Sequence, residues 1–249
     1  MRKQKKKKKN TPITFIVYII LFAILIYSGI KIYKWYKDNN DNSKLEEEIN
    51  TAVVIQEDKQ EEEKYIIDFN SLKEKNDETV AWIAVNNTNV KYPVVKTKNN
   101  EFYLNHSFDR SNNKAGWIFA DYRNKFDGTD KNIIIYGHNR RDESMFGSLK
   151  NILNSDWYNN TENGSIILNT ENENYIYKVF SVYQIEAEDY YIKTEFKNDE
   201  EFEEFAKNLK KRSIKDFGVE VSKSDSILTL STCANNNKYR VVLHAKKII

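Results

Sequence analysis

Between Ile13 and Ile30 the chain reads "ITFIVYIILFAILIYSGI", without one charged residue. As a helix rising about 1.5 Å per residue, the stretch spans roughly 27 Å, close to the hydrocarbon thickness of a bilayer. From residue 31 to 64 the pattern turns polar and charged, without a sustained apolar period. It predicts a mobile or partly helical stalk. Beyond it, Phe69 and Leu72, with Ile66 as a further inward position, predict a short amphipathic helix over 69–75. Eight short apolar or alternating runs then read as strands: 81–85, 90–95, 116–120, 132–137, 164–170, 175–185, 226–232 and 239–246. Between the sixth and seventh, Phe202, Phe205 and Leu209 recur at helical spacing. The fold class is mainly β: an eight-stranded, closed or nearly closed barrel with N-terminal helices and a helix between strands 6 and 7.

Charge adds an orientation. Seven of the first nine residues are Lys or Arg, while the whole chain of 249 residues carries a formal charge of only +2. The folded part is therefore slightly acidic. It has no basic stripe interleaved with aromatics, so no nucleic-acid partner is expected. A basic run before an apolar span stays in the cytoplasm by the positive-inside rule, and Tyr33, Trp35 and Tyr36 suit the headgroup level beyond the span. No small-x-small cleavage pattern follows, so an uncleaved signal-anchor is favoured over a removed signal peptide. The expected organisation is a cytoplasmic basic tail (1–12), a transmembrane signal-anchor (13–30), a stalk (31–64) and an extracellular domain (65–249). The expected location is the cell membrane, crossed once, with the lipid bilayer itself as a partner.

The candidate chemistry centres on "LTLSTCANNNKYRVVLHAK", Leu228 to Lys246, which holds the only cysteine. A single thiol in an external domain makes no internal disulfide. It is a small buried hydrophobe, an intermolecular linker or a reactive group. In a symmetric antiparallel hairpin Cys233 and Arg240 stand opposite one another, with Cβ atoms about 5 Å apart. Thr229, Ser231 and Cys233 then share a face with Arg240, Val242 and His244, while Leu228, Leu230, Val241 and Leu243 take the core face. A permanent cation beside a thiol favours the thiolate. Of three histidines, His244 lies roughly 13 Å along the strand from Arg240 at about 3.3 Å per residue. His106 sits in a polar connection. His138 ends the apolar run "NIIIYGH", where a rigid sheet meets a loop, a position open to a functional group or to a plain turn histidine. No acidic cluster compels a calcium site. Glu186, Glu188 and Asp189 read as a solvated face, and no cofactor or metal is expected.

"TLSTC" followed by "YRVV", together with "YGHN", resembles the sortases. "YPVVKTKNNEFYLNHSFDRSNNKAGWIFADYRN" (92–124) and the helix before the cysteine strand resemble class B in particular, and the likeness covers about residues 65–249. The resemblance implies an eight-stranded β-barrel and a membrane-anchored cysteine transpeptidase. Such an enzyme cleaves a C-terminal sorting motif, N-P-x-T-like or related, after Thr. It passes the surface protein through a thioacyl intermediate to a peptidoglycan amine. The implied partners are surface proteins bearing the sorting signal and a peptidoglycan precursor or cross-bridge amine. On this resemblance Cys233 is the nucleophile, His138 the acid and base, and Arg240 the group that holds substrate and oxyanion. Ser231 and Tyr136 are substrate-binding candidates, each with a plain packing role as the alternative. The rival activity is a membrane-tethered cysteine protease with water as acceptor. A non-catalytic adhesion or scaffold domain is the third reading.

Overall fold

Helix α1 (Pro12–Asn50) includes the uninterrupted apolar run, whose side chains are exposed. The computed structural model describes residues 12–57, 63–233 and 238–249, so most of the basic tail and the asparagine run at 235–237 lie outside the described residues. By length and composition α1 is able to cross a membrane, a test that an N-terminal signal sequence also passes. The chain divides into two compact units between Ser43 and Lys44.

The second unit opens at Lys44, earlier than the expected boundary at residue 65. Ile49, on the last turns of α1, is 1% exposed and belongs to the main core. A hairpin follows, formed by β1 (Val53–Glu57) and β2 (Glu63–Ile67). Val53 and Ile67 pack against the core, whereas Val54 and Ile66 are exposed. Ile66 thus lies on the outward side of a strand rather than on the buried face of a helix. The acidic residues around this hairpin masked its two-residue period in the sequence. Helix α2 (Phe69–Lys75) buries Phe69 and Leu72, and the Asp68 carboxylate caps it by accepting the Ser71 N–H at 3.1 Å.

Eight further strands close a barrel: β3 (Thr79–Val85), β4 (Lys91–Val95), β5 (Phe119–Ala120), β6 (Asn132–His138), β7 (Ser165–Asn169), β8 (Asn174–Glu186), β9 (Ile227–Cys233) and β10 (Tyr239–Lys247). Their order around the barrel is β10-β8-β7-β3-β4-β5-β6-β9. All eight coincide with runs legible in the sequence. The third is shorter than expected, because the Trp117 N–H bonds to the Tyr103 carbonyl of a neighbouring turn instead of joining a ladder. Neighbours pair antiparallel except β4–β5 and β6–β9, which are parallel. Parallel neighbours need a long crossover. The one from β6 to β9 carries a 3₁₀ turn (147–153), the short helix α3 (Ser155–Tyr158), β7, β8 and α4 (Asp199–Lys211).

Apolar side chains from alternate positions fill the barrel, among them Ile83, Ile135, Leu168, Leu228, Leu230 and Leu243. A second cluster lies between α4 and the outer face of β8, β9 and β10. It contains Phe202, Leu209, Tyr183, Tyr191, Ile227 and Val242. Burying Phe202 and Leu209 contributes about 1.5–3 kcal/mol each. The α4 start is capped by Asn198, which accepts the Glu201 N–H at 2.8 Å. Acidic residues fill its first turn and lysines its last, which suits the helix dipole.

Candidate active site

β9 lies between β6 and β10 in the barrel wall, with His138 and Cys233 at the ends of β6 and β9 and Arg240 near the start of β10. On one side, the parallel ladder pairs Tyr136 with Ser231 and His138 with Cys233. On the other, the antiparallel ladder pairs Val242 with Ser231 and His244 with Thr229. Continued by two residues, that register sets Arg240 opposite Cys233. The ladder ends at Val242 and Ser231, and one residue further the Val241 N–H donates to the Thr232 side-chain hydroxyl at 2.9 Å. Adjacent strands are about 4.8 Å apart, so the Cys233 backbone has His138 as its immediate neighbour on β6, while Arg240 lies two residues beyond the last β9–β10 pair and pairs with Ile185 of β8 on its other side. Cys233 is placed here by its backbone, as the last residue of β9.

His138 is held tightly. The residue is 6% exposed, and Nε2 lies 2.7 Å from the Leu104 carbonyl oxygen. A carbonyl can only accept, so Nε2 carries the hydrogen and Nδ1 is the basic nitrogen of the neutral ring. Gly116, at φ +64°, backs the ring so closely that a Cβ there would stand 2.7 Å from Cδ2. Behind it, Gly137 gives way to the Phe146 ring, and the Phe146 N–H donates to the His138 carbonyl at 3.0 Å. Arg240, the second residue of β10, is half-buried.

Ser231 is buried and shares a hydrogen bond of 2.9 Å with the Tyr191 hydroxyl. Tyr136 donates its hydroxyl to Asp121 at 2.8 Å. The Asp121 side chain is fully buried and also accepts from Arg123 and Asn100. Burial alone would raise its pKa, but the Arg123 and Tyr136 hydrogen bonds hold the carboxyl below its ordinary value. Arg123 reaches on to the Ile192 carbonyl at 3.2 Å. This network, which ties β6 to the crossover, was not read from the sequence; an Asp and an Arg two residues apart after a strand are its only signal there.

The other two histidines fall outside the His138–Cys233 pair. His106 stacks on Phe102. His244 is fully buried between the Thr229 and Tyr183 hydroxyls, at 2.9 Å from each, and burial pushes its pKa down to about 3. The face of β9 and β10 expected to lie away from the core is thus roofed by the crossover at Thr229, Ser231 and His244. Glu186, Glu188 and Asp189 are exposed, and Glu186 pairs with Lys238 at 3.0 Å. Among the described residues no three His, Cys, Asp or Glu side chains gather as metal ligands would.

The Sortase domain family matches residues 83–248. Sortase B of Staphylococcus aureus is 34% identical, over 94% of this chain and 96% of its own. Sortase B of Listeria monocytogenes is 31% identical, over 92% of this chain and 94% of its own. Among solved structures, sortase B from Bacillus anthracis superposes with a TM-score of 0.75 at 33% identity, covering 86% of this chain and 99% of that one. The barrel order and the likeness over nearly the whole chain lead to one assignment: this chain belongs to the sortase family of surface-protein-anchoring cysteine transpeptidases, in its class B.

Proposed function

We propose that Cys233, His138 and Arg240 carry out the transpeptidation. The observation that supports this most is the β6–β9 ladder, which pairs His138 with Cys233, with Arg240 two residues beyond the end of the β9–β10 ladder. The Cys233 thiolate attacks the carbonyl carbon of the Thr in the sorting motif. The electron pair of that carbonyl moves onto its oxygen, and the Arg240 guanidinium, permanently charged, stabilises the oxyanion. Collapse of the tetrahedral species breaks the peptide bond. Protonated His138 gives its proton to the departing amine, leaving a thioester on Cys233 and a neutral imidazole. An incoming cell-wall amine then attacks the thioester, His138 takes its proton, and the thiolate leaves. Ser231 and Tyr136, buried and hydrogen-bonded to Tyr191 and Asp121, brace the strands that carry the pair.

The motif read is N-P-x-T-like, and the acceptor is an amine of peptidoglycan. The apolar run in α1 serves as a signal-anchor with the basic tail in the cytoplasm, which sets the barrel outside the membrane where both substrates lie. The test is product analysis with a quenched sorting peptide, with and without added hydroxylamine. Amine-dependent hydroxamate that vanishes in Cys233→Ala is the expected result. Products unchanged by the amine, or undiminished in Cys233→Ala, would overturn the reading.

A further inference from the structure

We propose that Tyr92 is a positioning residue for His138, and that Glu46, on the last turns of α1, holds the Tyr92 hydroxyl in that role. The inference rests on the reading of His138 as the acid and base. The loop that leaves His138 folds straight back on β6. Asn139 and Met145 bridge, Phe146 donates its N–H to the His138 carbonyl, and the Phe146 ring packs on Gly137. The backbone of His138 is therefore only as well placed as Met145 and Phe146 are. Both are fully buried, and Met145 adopts φ +53°, a left-handed conformation that an unbranched non-glycine residue keeps only under constraint.

Tyr92 supplies that constraint. Its hydroxyl accepts the Met145 N–H at 3.1 Å, from a ring set edge-on to Trp117 at 5.7 Å. Glu46 lines the same cavity as Tyr92, and its carboxyl interacts electrostatically with the Tyr92 hydroxyl. Glu46 stands at the edge of a cavity of about 370 Å³ whose walls include Ile49, Tyr65, Trp82, Tyr92 and Trp117. The charged groups around it are Asp142 and Arg140 of the same returning loop and Lys91 of β4. Burial, then the nearby Asp142 carboxylate, raise the Glu46 pKa to about 7, while Tyr92 and Arg140 offset part of that rise. Arg140 and Asp142 pair at 2.7 Å, and Ser144 donates to Asp142 at 2.7 Å, so the loop is braced at its tip as well. A chain of contacts thus runs from α1 through Glu46, Tyr92, Met145 and Phe146 to His138.

The experiment uses the full-length chain in detergent micelles and follows amine-dependent transfer from a sorting peptide. Tyr92→Phe keeps the ring and its Trp117 contact but leaves the Met145 N–H buried without an acceptor, and kcat falls about tenfold while KM stays within about twofold. Glu46→Gln, which retains an acceptor oxygen, keeps the wild-type kcat; Glu46→Leu, which has none, moves kcat in the direction of Tyr92→Phe. Melting curves identify any variant that has simply failed to fold, and the Glu46 pair then carries the test. Wild-type kcat in Tyr92→Phe, or a loss confined to KM, overturns the role of Tyr92. Equal damage from Glu46→Gln and Glu46→Leu overturns the role of Glu46. If the wild type itself shows no Cys233- and His138-dependent transfer, the underlying reading of the site falls, a failure distinguishable from the other two.

Discussion

Substituting Gly116 by alanine tests how closely His138 is held. The new Cβ would stand 2.7 Å from Cδ2 and 3.0 Å from Nε2 of His138, and 2.6 Å from the Tyr103 carbonyl oxygen. Carbon contacts settle near 3.5–4.0 Å, so the ring has to retreat by about 1 Å. Such a retreat breaks the 2.7 Å bond from Nε2 to Leu104. A misplacement of about 1 Å in a reacting group costs on the order of 100-fold in rate. The backbone adds its own cost, since φ +64° is disfavoured for alanine by about 1–2 kcal/mol. Gly128 provides the control: it sits at φ +84° with nothing within 4 Å of its Cβ position, so Gly128→Ala carries the backbone cost without the collision. For a unit of this size each kcal/mol lowers the melting temperature by about 2–4 °C. The assay pairs melting curves with kcat/KM for amine-dependent transfer. Gly116→Ala is expected to lose about 100-fold in kcat/KM, with Gly128→Ala within about twofold of wild type. Full activity in Gly116→Ala, or equal losses in both variants, would refute the argument that Gly116 places the imidazole.

Two further outcomes follow from buried polar groups. His244 has a folded pKa near 3 against about 6.5 when unfolded, so its contribution to stability is complete above 6.5 and is lost as pH falls from there towards 3. Between pH 6.5 and 5 the loss is about 2 kcal/mol; Glu46, raised to about 7 from 4.5, acts in the opposite sense over the whole of that range and by a comparable amount, so the comparison with the variant isolates His244. Denaturant unfolding of wild type and His244→Gln across pH 5–7.5 is therefore expected to show a shallower acid decline in the variant, and parallel curves would contradict the assignment. Asp121→Ala leaves Arg123, the Tyr136 hydroxyl and Asn100 without their shared acceptor, and is expected to cost about 3 kcal/mol. A melting temperature within about 2 °C of wild type would count against that network.

Much of the barrel was legible because its strands are short apolar runs separated by polar turns, and a period of two survives even where both faces are covered. Helix α4 was legible for the same reason, with Phe202 and Leu209 marking its buried side. The register of β9 with β10 could be assumed from a symmetric hairpin, and the ladder follows it from Val242 and Ser231 to Lys246 and Ile227. The neighbourhood of Cys233 and His138 could not, because parallel pairing of β6 with β9 joins strands almost ninety residues apart in sequence and leaves no local trace. The hairpin β1–β2 stayed hidden among acidic residues. Nor does a sequence pattern show that Leu104 and Gly116, a main-chain carbonyl and a missing side chain, would hold the His138 ring. The burial of His244 came from the crossover folding over a strand face that local alternation marks as outward.

The most direct measurement is capture of the covalent intermediate. The full-length protein is mixed with a sorting peptide, quenched in acid and digested, and the peptides are weighed. The acyl group is expected on the peptide that contains Cys233, released by hydroxylamine, absent in Cys233→Ala and slow to form in His138→Ala. An acyl group on any other residue, or undiminished turnover in Cys233→Ala, would contradict the account.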